Sequence, residues 1–265
     1  MNFREIKPCK ELAPYIHFFW EFKGDVTDNQ WERSFPDGCP GVVINLGDTY
    51  KTENGAMEFG KTYVLGTKTS FKEGFITPNT HLLGVYLKPA SFPNFFDYAS
   101  QDELADTATE IDKPLSLNLD KVMKDPTTYL NRFFTDKLRH TNRELHEVIR
   151  DIHRSKGLFD IYELAKKNCT TVRQLERQFK KNLGASPKEY SNIVRFQNAF
   201  SMLINNQNKR SLLDIAFECG YYDHSHLTNE IKKYTGFAPS QLFPSHTAEA
   251  NFEVLHTKYS RSGEF

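Results

Sequence analysis

The sequence predicts a two-domain chain, with an N-terminal domain of mostly β-structure and trailing helices, followed by an all-α C-terminal domain. Three observations carry this. The first ninety residues hold short aromatic and β-branched runs separated by Gly, Pro, Asn and Asp. From Asn142 onward, apolar residues recur at helical spacing. Residues 164–190 and 215–242 repeat one another, each reading as a helix, a tight turn and a second helix.

The β-elements come first. Residues 15–23 (YIHFFWEFK), 42–46 (VVINL), 62–69 (TYVLGTKT) and 82–87 (LLGVYL) read as strands, with turn signals at 36–38, 46–48 and 77–79 between them. Several short strands with such punctuation point to a barrel or a sandwich. Helical patterning follows. Ser91-Phe92-Pro93 opens a short helix carrying Phe95, Phe96 and Tyr98, and 102–111 reads as a second. A third, 127–139, begins beside Pro126 and gathers Leu130, Phe133, Phe134 and Leu138 on one face. That face can pack internally or against a second chain. The expected division is 1–115 for a β-rich regulatory domain, 116–141 for a helical linker with a dimer contact left open, 142–243 for the α-domain and 244–265 for a polar tail.

In the α-domain, Leu145, Val148, Ile149 and Ile152 form an amphipathic face that ends at Gly157. The repeat then begins. Ala165 matches Ala216 at an offset of 51; after one inserted residue, Leu175, Phe179, Gly184 and Pro187 match Leu227, Ile231, Gly236 and Pro239 at 52. The alanines let two helices approach closely. Thr171 and Asp223 are good N-caps for the second helix of each copy. Residues four apart share a face, so Leu175/Phe179 and Leu227/Ile231 pack inward. Gly184 and Gly236 terminate those helices.

A helix, a short turn and a helix place the second helix in the DNA major groove. Its outward face carries Arg173, Glu176, Arg177 and Lys180 in the first copy, behind the Thr171 cap, and His224, Ser225, Thr228, Asn229 and Lys232 in the second. Arg and Asn pair with guanine and adenine edges; Ser, Thr and Lys suit edges or phosphates.

At this point residues 142–243 resemble the DNA-binding domain of AraC-type transcription regulators. The strongest match is IAFECGYYDHSHLTNEIKKYTGFAPSQL, with Gly220-Tyr221, Ser225 two before Leu227, and Gly236 followed three residues later by Pro239; Val194-Arg195 and Ala199 fit as well. The resemblance implies seven helices, with two helix-turn-helix units joined by a long helix over 187–203. It also implies base-reading roles for Arg173, Glu176 and Arg177 in one unit and for His224, Ser225, Thr228 and Asn229 in the other. The second unit departs from the family pattern. Leu227 and Ile231 replace two Phe, Asn229 replaces an Arg and so removes a donor fork, and Glu230 adds repulsion towards phosphate. The stretches YIHFFWEF, FPDGCPGVVINLG and LLGVYLKPASFPNFF resemble the cupin-like sensing domain found ahead of many such regulators. Asp37, Trp20 and Tyr86 are its candidate pocket residues, although buried core aromatics explain the last two as well.

The implied function is sequence-specific, DNA-binding transcription regulation under a small-molecule effector or dimerisation. Double-stranded DNA is the expected partner; a homodimer and, for an activator, RNA polymerase are left open. Composition sets the exclusions. The whole chain is neutral, but residues 1–141 carry 16 basic and 20 acidic groups and 142–243 carry 16 and 11, a shift from −4 to +5. Cys9, Cys39, Cys169 and Cys219 lie far apart, and His17 and His81 are isolated, so no metal site and no cofactor are expected. A DNA-repair fusion needs a methyl-accepting cysteine cluster and a catalytic cupin needs converging His and Glu, so no enzyme is expected. An interaction module whose helices have lost DNA is the remaining alternative. No run of apolar residues is long enough for a membrane span, and the start lacks a signal peptide's apolar core, so the expected location is cytoplasmic.

Overall fold

Ten strands and nine helices lie within the residues that the computed structural model describes, 2–97, 100–111, 115–139, 144–205 and 210–242. The strands are β1 (Asn2–Ile6), β2 (Ile16–Lys23), β3 (Gln30–Ser34), β4 (Gly41–Asn45), β5 (Tyr50–Thr52), β6 (Gly55–Met57), β7 (Thr62–Leu65), β8 (Lys72–Ile76), β9 (His81–Leu87) and β10 (Ala108–Glu110). They form a six-stranded sheet in the order β1-β2-β9-β4-β7-β10 and a four-stranded sheet in the order β3-β8-β5-β6, every recorded pair being antiparallel.

Both faces of the larger sheet are covered, which is why β4 is buried along its whole length. Alternation sorts its side chains. Val42 and Ile44 of β4, with Leu83, Val85 and Leu87 of β9, point to one face; Val43 and Leu82 point to the other. On the first face lie two helices, α1 (Leu119–Lys124) and α2 (Pro126–Lys137). Phe134 of α2 packs edge-on to Phe95, 5.1 Å between ring centroids, and tilts against Phe19 at 6.2 Å. The apolar face of α2 is therefore used within the chain. On the other face Phe22, Val43, Met57, Tyr63, Ile76 and Leu82 form the layer between the sheets. A β-bulge between Ile16 and Phe18 resets the phase of β2, putting Trp20 and Phe22 in this inner layer. Gly84 lies opposite Trp20 and leaves room for its indole, which a Cβ there would meet at 2.2 Å.

Two of the expected helices are corrected. Residues 102–111 instead make a 3-10 turn at Gln101–Glu103 and then β10, which pairs with β7. Helix propagation stops at Asp106, whose φ is +61° and whose carboxylate accepts from the Thr69 amide at 2.9 Å. The β-branched Thr107 and Thr109 favour the extended form beyond it. The helix expected at Ser91 is a single 3-10 turn, Phe92–Asn94, with Phe95 and Phe96 buried after it; Tyr98 lies outside the described residues. The tail 244–265 also lies outside them.

The C-terminal half consists of α3 (Glu144–Arg154), α4 (Ile161–Lys167), α5 (Val172–Leu183), α6 (Pro187–Ile204), α7 (Leu212–Glu218), α8 (His224–Thr235) and α9 (Pro239–Leu242). These seven helices have two cores. Leu145, Val148, Ile149 and Ile152 join Leu164, Leu175, Phe179, Tyr190 and Val194 in one; Ile193, Phe196, Phe200, Ile215, Leu227, Ile231 and Tyr234 make the other. Only α6 contributes to both.

Candidate nucleic-acid interface

Each helix-turn-helix is built by local chemistry. Asp160 caps α4, its carboxylate accepting from the Tyr162 and Glu163 amides at 2.8 and 3.0 Å. After α4 the Thr170 amide donates to Ala165 O at 3.0 Å; after α7 the Tyr221 amide donates to Ala216 O at 2.8 Å. Those bonds sit 51 residues apart, as the repeat requires. The residue before each takes a left-handed conformation: Gly220 at φ +69° in the second unit and Cys169 at φ +51° in the first. The sequence reading found the glycine and missed the strained cysteine, because only the alignment of the two turns equates them.

α5 opens with a capping box. Gln174 N donates to Thr171 Oγ1 at 3.2 Å, and Thr171 N donates to Gln174 Oε1 at 3.3 Å. α8 has a one-sided cap, the Asp223 carboxylate accepting from His226 N at 2.7 Å. Leu175 and Phe179, like Leu227 and Ile231, are fully buried. The other side of each helix faces outward. Thr171, Arg173, Glu176, Arg177 and Lys180 are all exposed and, with Gln174 and Ser186, line one shallow depression. Lys180 reaches Glu189 at 3.3 Å, while Arg173 and Arg177 make no ion pair with any described residue. In the second unit His224, Ser225, Asn229 and Lys232 are exposed and Thr228 is half-buried. Each set therefore shares one helix face.

Glu230 stands elsewhere than expected. At about 100° per residue it falls on the flank of the core positions Leu227, Ile231 and Tyr234, and its Oε2 is buried. Burial pushes the Tyr221 and Tyr234 phenols up, and the Glu230 charge adds to both shifts. Its carboxylate thus acts on the core side of α8, away from the face that carries Ser225 and Asn229, and the expected repulsion towards phosphate is not built there. The core around the smaller Leu227 and Ile231 takes in further aromatic rings. Phe35, from the loop after β3, packs edge-on to Phe200 of α6 at 5.3 Å, and Phe196 packs on Tyr234 at 4.7 Å.

A second candidate site lies between the sheets, a cavity of about 340 Å³. Trp20, Asp37 and Tyr86 all line it, together with Cys39, Tyr50 and Lys68, which sequence reasoning did not single out. Asp37 is buried; its Oδ1 accepts from the Cys39 amide at 2.9 Å and its Oδ2 lies 3.6 Å from Lys68 Nζ. Burial, then the Asp37 charge, raises both the Cys39 thiol and the Tyr86 phenol. Burial and Glu32 push Tyr50 up to about 12. The cavity wall also faces the helices. A Cβ on Gly38 would lie 2.5 Å from the Tyr190 ring of α6, and Gln197 of α6 donates to Pro36 O at 3.1 Å. His17 tilts against Tyr86 at 5.4 Å and His81 bonds Glu21 at 2.9 Å. Among the described residues no three His, Cys, Asp or Glu side chains come together as a metal site, and no helix is long and apolar enough to cross a membrane.

Comparison with known proteins matches two separate segments of the chain. Residues 4–110 match a family described as a domain of unknown function (DUF6597), and residues 164–244 match a helix-turn-helix domain family. The transcriptional regulator ArgR of Pseudomonas aeruginosa is 29% identical over 99 residues, 37% of this chain and 30% of that protein. The transcriptional activator RhaS of Klebsiella pneumoniae is 31% identical over 80 residues, 30% of this chain and 28% of that one. The chain thus spans under a third of the length of these relatives. A crystal structure of ToxT from Vibrio cholerae is 11% identical, with a TM-score of 0.48, over 84% of this chain and 97% of that one.

Proposed function

With its C-terminal module an AraC-type helix-turn-helix domain, we propose that the chain is a sequence-specific transcription regulator that reads DNA through two tandem units. α5 and α8 would enter successive major-groove segments. The observation that carries this is the doubled unit itself: equivalent turns, equivalent C-caps at Gly184 and Gly236, and on each reading helix a polar face left outside the core. Arg173 and Arg177 have the forked donors that suit guanine, and Asn229 has the amide pair that suits adenine. Thr171, Ser225, Thr228, Lys180 and Lys232 suit phosphates or base edges, and His224 and Glu176 complete the two faces.

The cavity is the natural seat of a small-molecule effector. Its size lies in the range of ligand sites, and its wall at Asp37–Cys39 is also the surface that meets Tyr190 on the linking helix. An occupant would therefore press on the joint between the two reading helices. No residue of the chain is assigned a catalytic role, and dimerisation or contact with RNA polymerase would be added to this scheme by the promoter. The test is selection of duplexes from a genomic library by the purified chain, followed by a salt titration. Sequence-selective binding whose affinity falls steeply with salt is expected; retention of no duplex at low salt would leave the interaction-module reading in its place.

A further inference from the structure

The two units are joined by a single helix. Their cores are separate, and only α6 contributes to both. Besides α6, Leu158 before α4 meets the second turn, where a Cβ on Gly220 would lie 2.4 Å from its side chain; that contact does not reach the C-terminal ends of α5 and α8. The β-domain, however, touches both reading helices, and at matching points. Gly184 and Gly236 are the C-caps of α5 and α8, 52 residues apart, each at φ +75°. A Cβ on Gly184 would lie 2.5 Å from Gln101 O and 3.3 Å from Ala105 Cβ; one on Gly236 would lie 2.5 Å from an Arg33 guanidinium nitrogen and 3.0 Å from the Phe71 ring. All four of these neighbours belong to the β-domain.

The contact at Gly236 is the more elaborate. Arg33 lies on β3, and its Nε donates to Glu73 Oε1 on β8 at 2.7 Å. Its Nη1 donates to Thr235 O at 3.1 Å. That carbonyl is one of the last in α8, which have no partner within the helix and carry the negative end of its dipole. The guanidinium lies between two rings, 4.4 Å from the Phe71 centroid and 4.1 Å from that of Phe237, which follows α8. A planar fork that stacks and donates in two directions is a task for Arg and not for Lys.

We propose that the β-domain braces the two reading helices, with Arg33 as its contact to the second, so that the preferred spacing of the two half-sites on DNA is a property of the whole chain. This rests on the reading that both units contact DNA. In the braced chain α8 is held relative to α5 by β3 and the Gln101–Ala105 turn as well as by α6. Without Arg33 the last turn of α8 loses this hold, and the second unit accepts several spacings.

The test uses the full chain and its Arg33→Ala and Arg33→Lys variants. The two half-sites found by selection are placed in duplexes whose spacer varies by one base pair at a time. The unaltered chain is expected to favour one spacing by about tenfold, and Arg33→Ala by threefold or less, with Arg33→Lys between. In parallel, hydrogen exchange on the free proteins should show the Gly236 amide about tenfold faster in Arg33→Ala, with Gly184 unchanged; a charge-assisted bond and two ring contacts are worth about that much. Equal spacing profiles with equal exchange at Gly236 would overturn the brace. If selection returns a single half-site, the two-unit reading of the function fails, and the exchange alone decides the brace.

Discussion

Replacing Gly38 by Ala tests the joint between the cavity and the linking helix. Gly38 has φ +75°, where an L side chain costs about 1–2 kcal/mol. The new methyl would also lie 2.5 Å from Tyr190 Cε2 and 3.1 Å from Cδ2. The ring cannot step aside freely. Tyr190 is fully buried, its hydroxyl is 2.8 Å from His153 Nε2, and it packs edge-on to Phe179 at 6.0 Å. Overpacking of this kind costs about 1–3 kcal/mol. The sum, about 2–5 kcal/mol, lowers the melting temperature by about 10 °C at about 2–4 °C per kcal/mol for a chain of this size. Both tryptophans, Trp20 and Trp31, belong to the β-domain, so their fluorescence reports that domain while far-ultraviolet circular dichroism reports the helices. The overlap component is isolated by a cycle with Tyr190→Ala. With the ring removed, Gly38→Ala should cost only the backbone component, about 1–2 kcal/mol. An equal cost in both backgrounds would refute the contact as the cause.

Three further outcomes follow from the structure. Arg177→Ala should weaken specific DNA binding by about 1–3 kcal/mol and relax the base preference at one position, read by fluorescence anisotropy on matched and single-mismatch duplexes; uniform loss on every duplex would make Arg177 a phosphate contact. Cys169→Gly should stabilise the chain by about 1 kcal/mol in urea unfolding, because the first turn then adopts its left-handed conformation without a Cβ, as Gly220 does in the second; a loss of stability would mean that the thiol contributes more than the turn strain costs. Acidification should destabilise the chain between about pH 6.5 and 4. Burial, reinforced by Lys88 and opposed by Asp37, lowers His17 to about 4, and burial followed by the nearby His17 lowers His153 to about 4. Because both folded values lie below the unfolded 6.5, the unfolded chain takes up protons first. Their contribution is complete above about pH 6.5 and declines towards 4, by up to about 3 kcal/mol for each group. Unfolding free energies that stay flat over that window would contradict this, and His153→Phe should flatten the slope.

What was legible in the sequence was local. The N-caps Thr171 and Asp223, the glycine C-caps and the inward pairs four residues apart all act within one or two helical turns, so the order of residues displays them directly. The strands β2, β4, β7 and β9 were legible because they lie in the larger sheet with one or both faces on a core. β3 (QWERS) and β8 (KEGFI) were not, since most of their side chains are exposed or half-buried, which selects no run of apolar residues. The 102–111 segment misled because Leu104 and Ile111 are both buried at a separation a helix would also allow, while the residue that ends the helix, Asp106, is recognisable only from its φ and its bond to Thr69. Arg33 was invisible for a different reason. Its partner carbonyl is 202 residues away, and nothing in β3 alone distinguishes a docking arginine from a solvated one.

The differences between the two units take on a physical meaning once those long-range contacts are included. Seen alone, the second unit is a weakened copy: smaller core residues, Asn229 in place of an arginine, a one-sided cap on α8. In the folded chain its core takes in Phe35, and the last turn of α8 is closed by Arg33, both from the β-domain. The first unit meets the β-domain as well, Tyr190 of its core lying against Gly38. Its core takes in Ala90 and its C-cap rests on the Gln101–Ala105 turn, but it keeps Phe179, its reciprocal capping box and its arginines. Both units are thereby tied to the β-domain, the second through Phe35 and Arg33 and the first through Tyr190 and the C-cap of α5. A signal arriving at the cavity would have a route to each unit: Arg33 and Glu73, which line the cavity, lead to the end of α8, and the wall at Asp37–Cys39 leads through Tyr190 to Phe179 of α5.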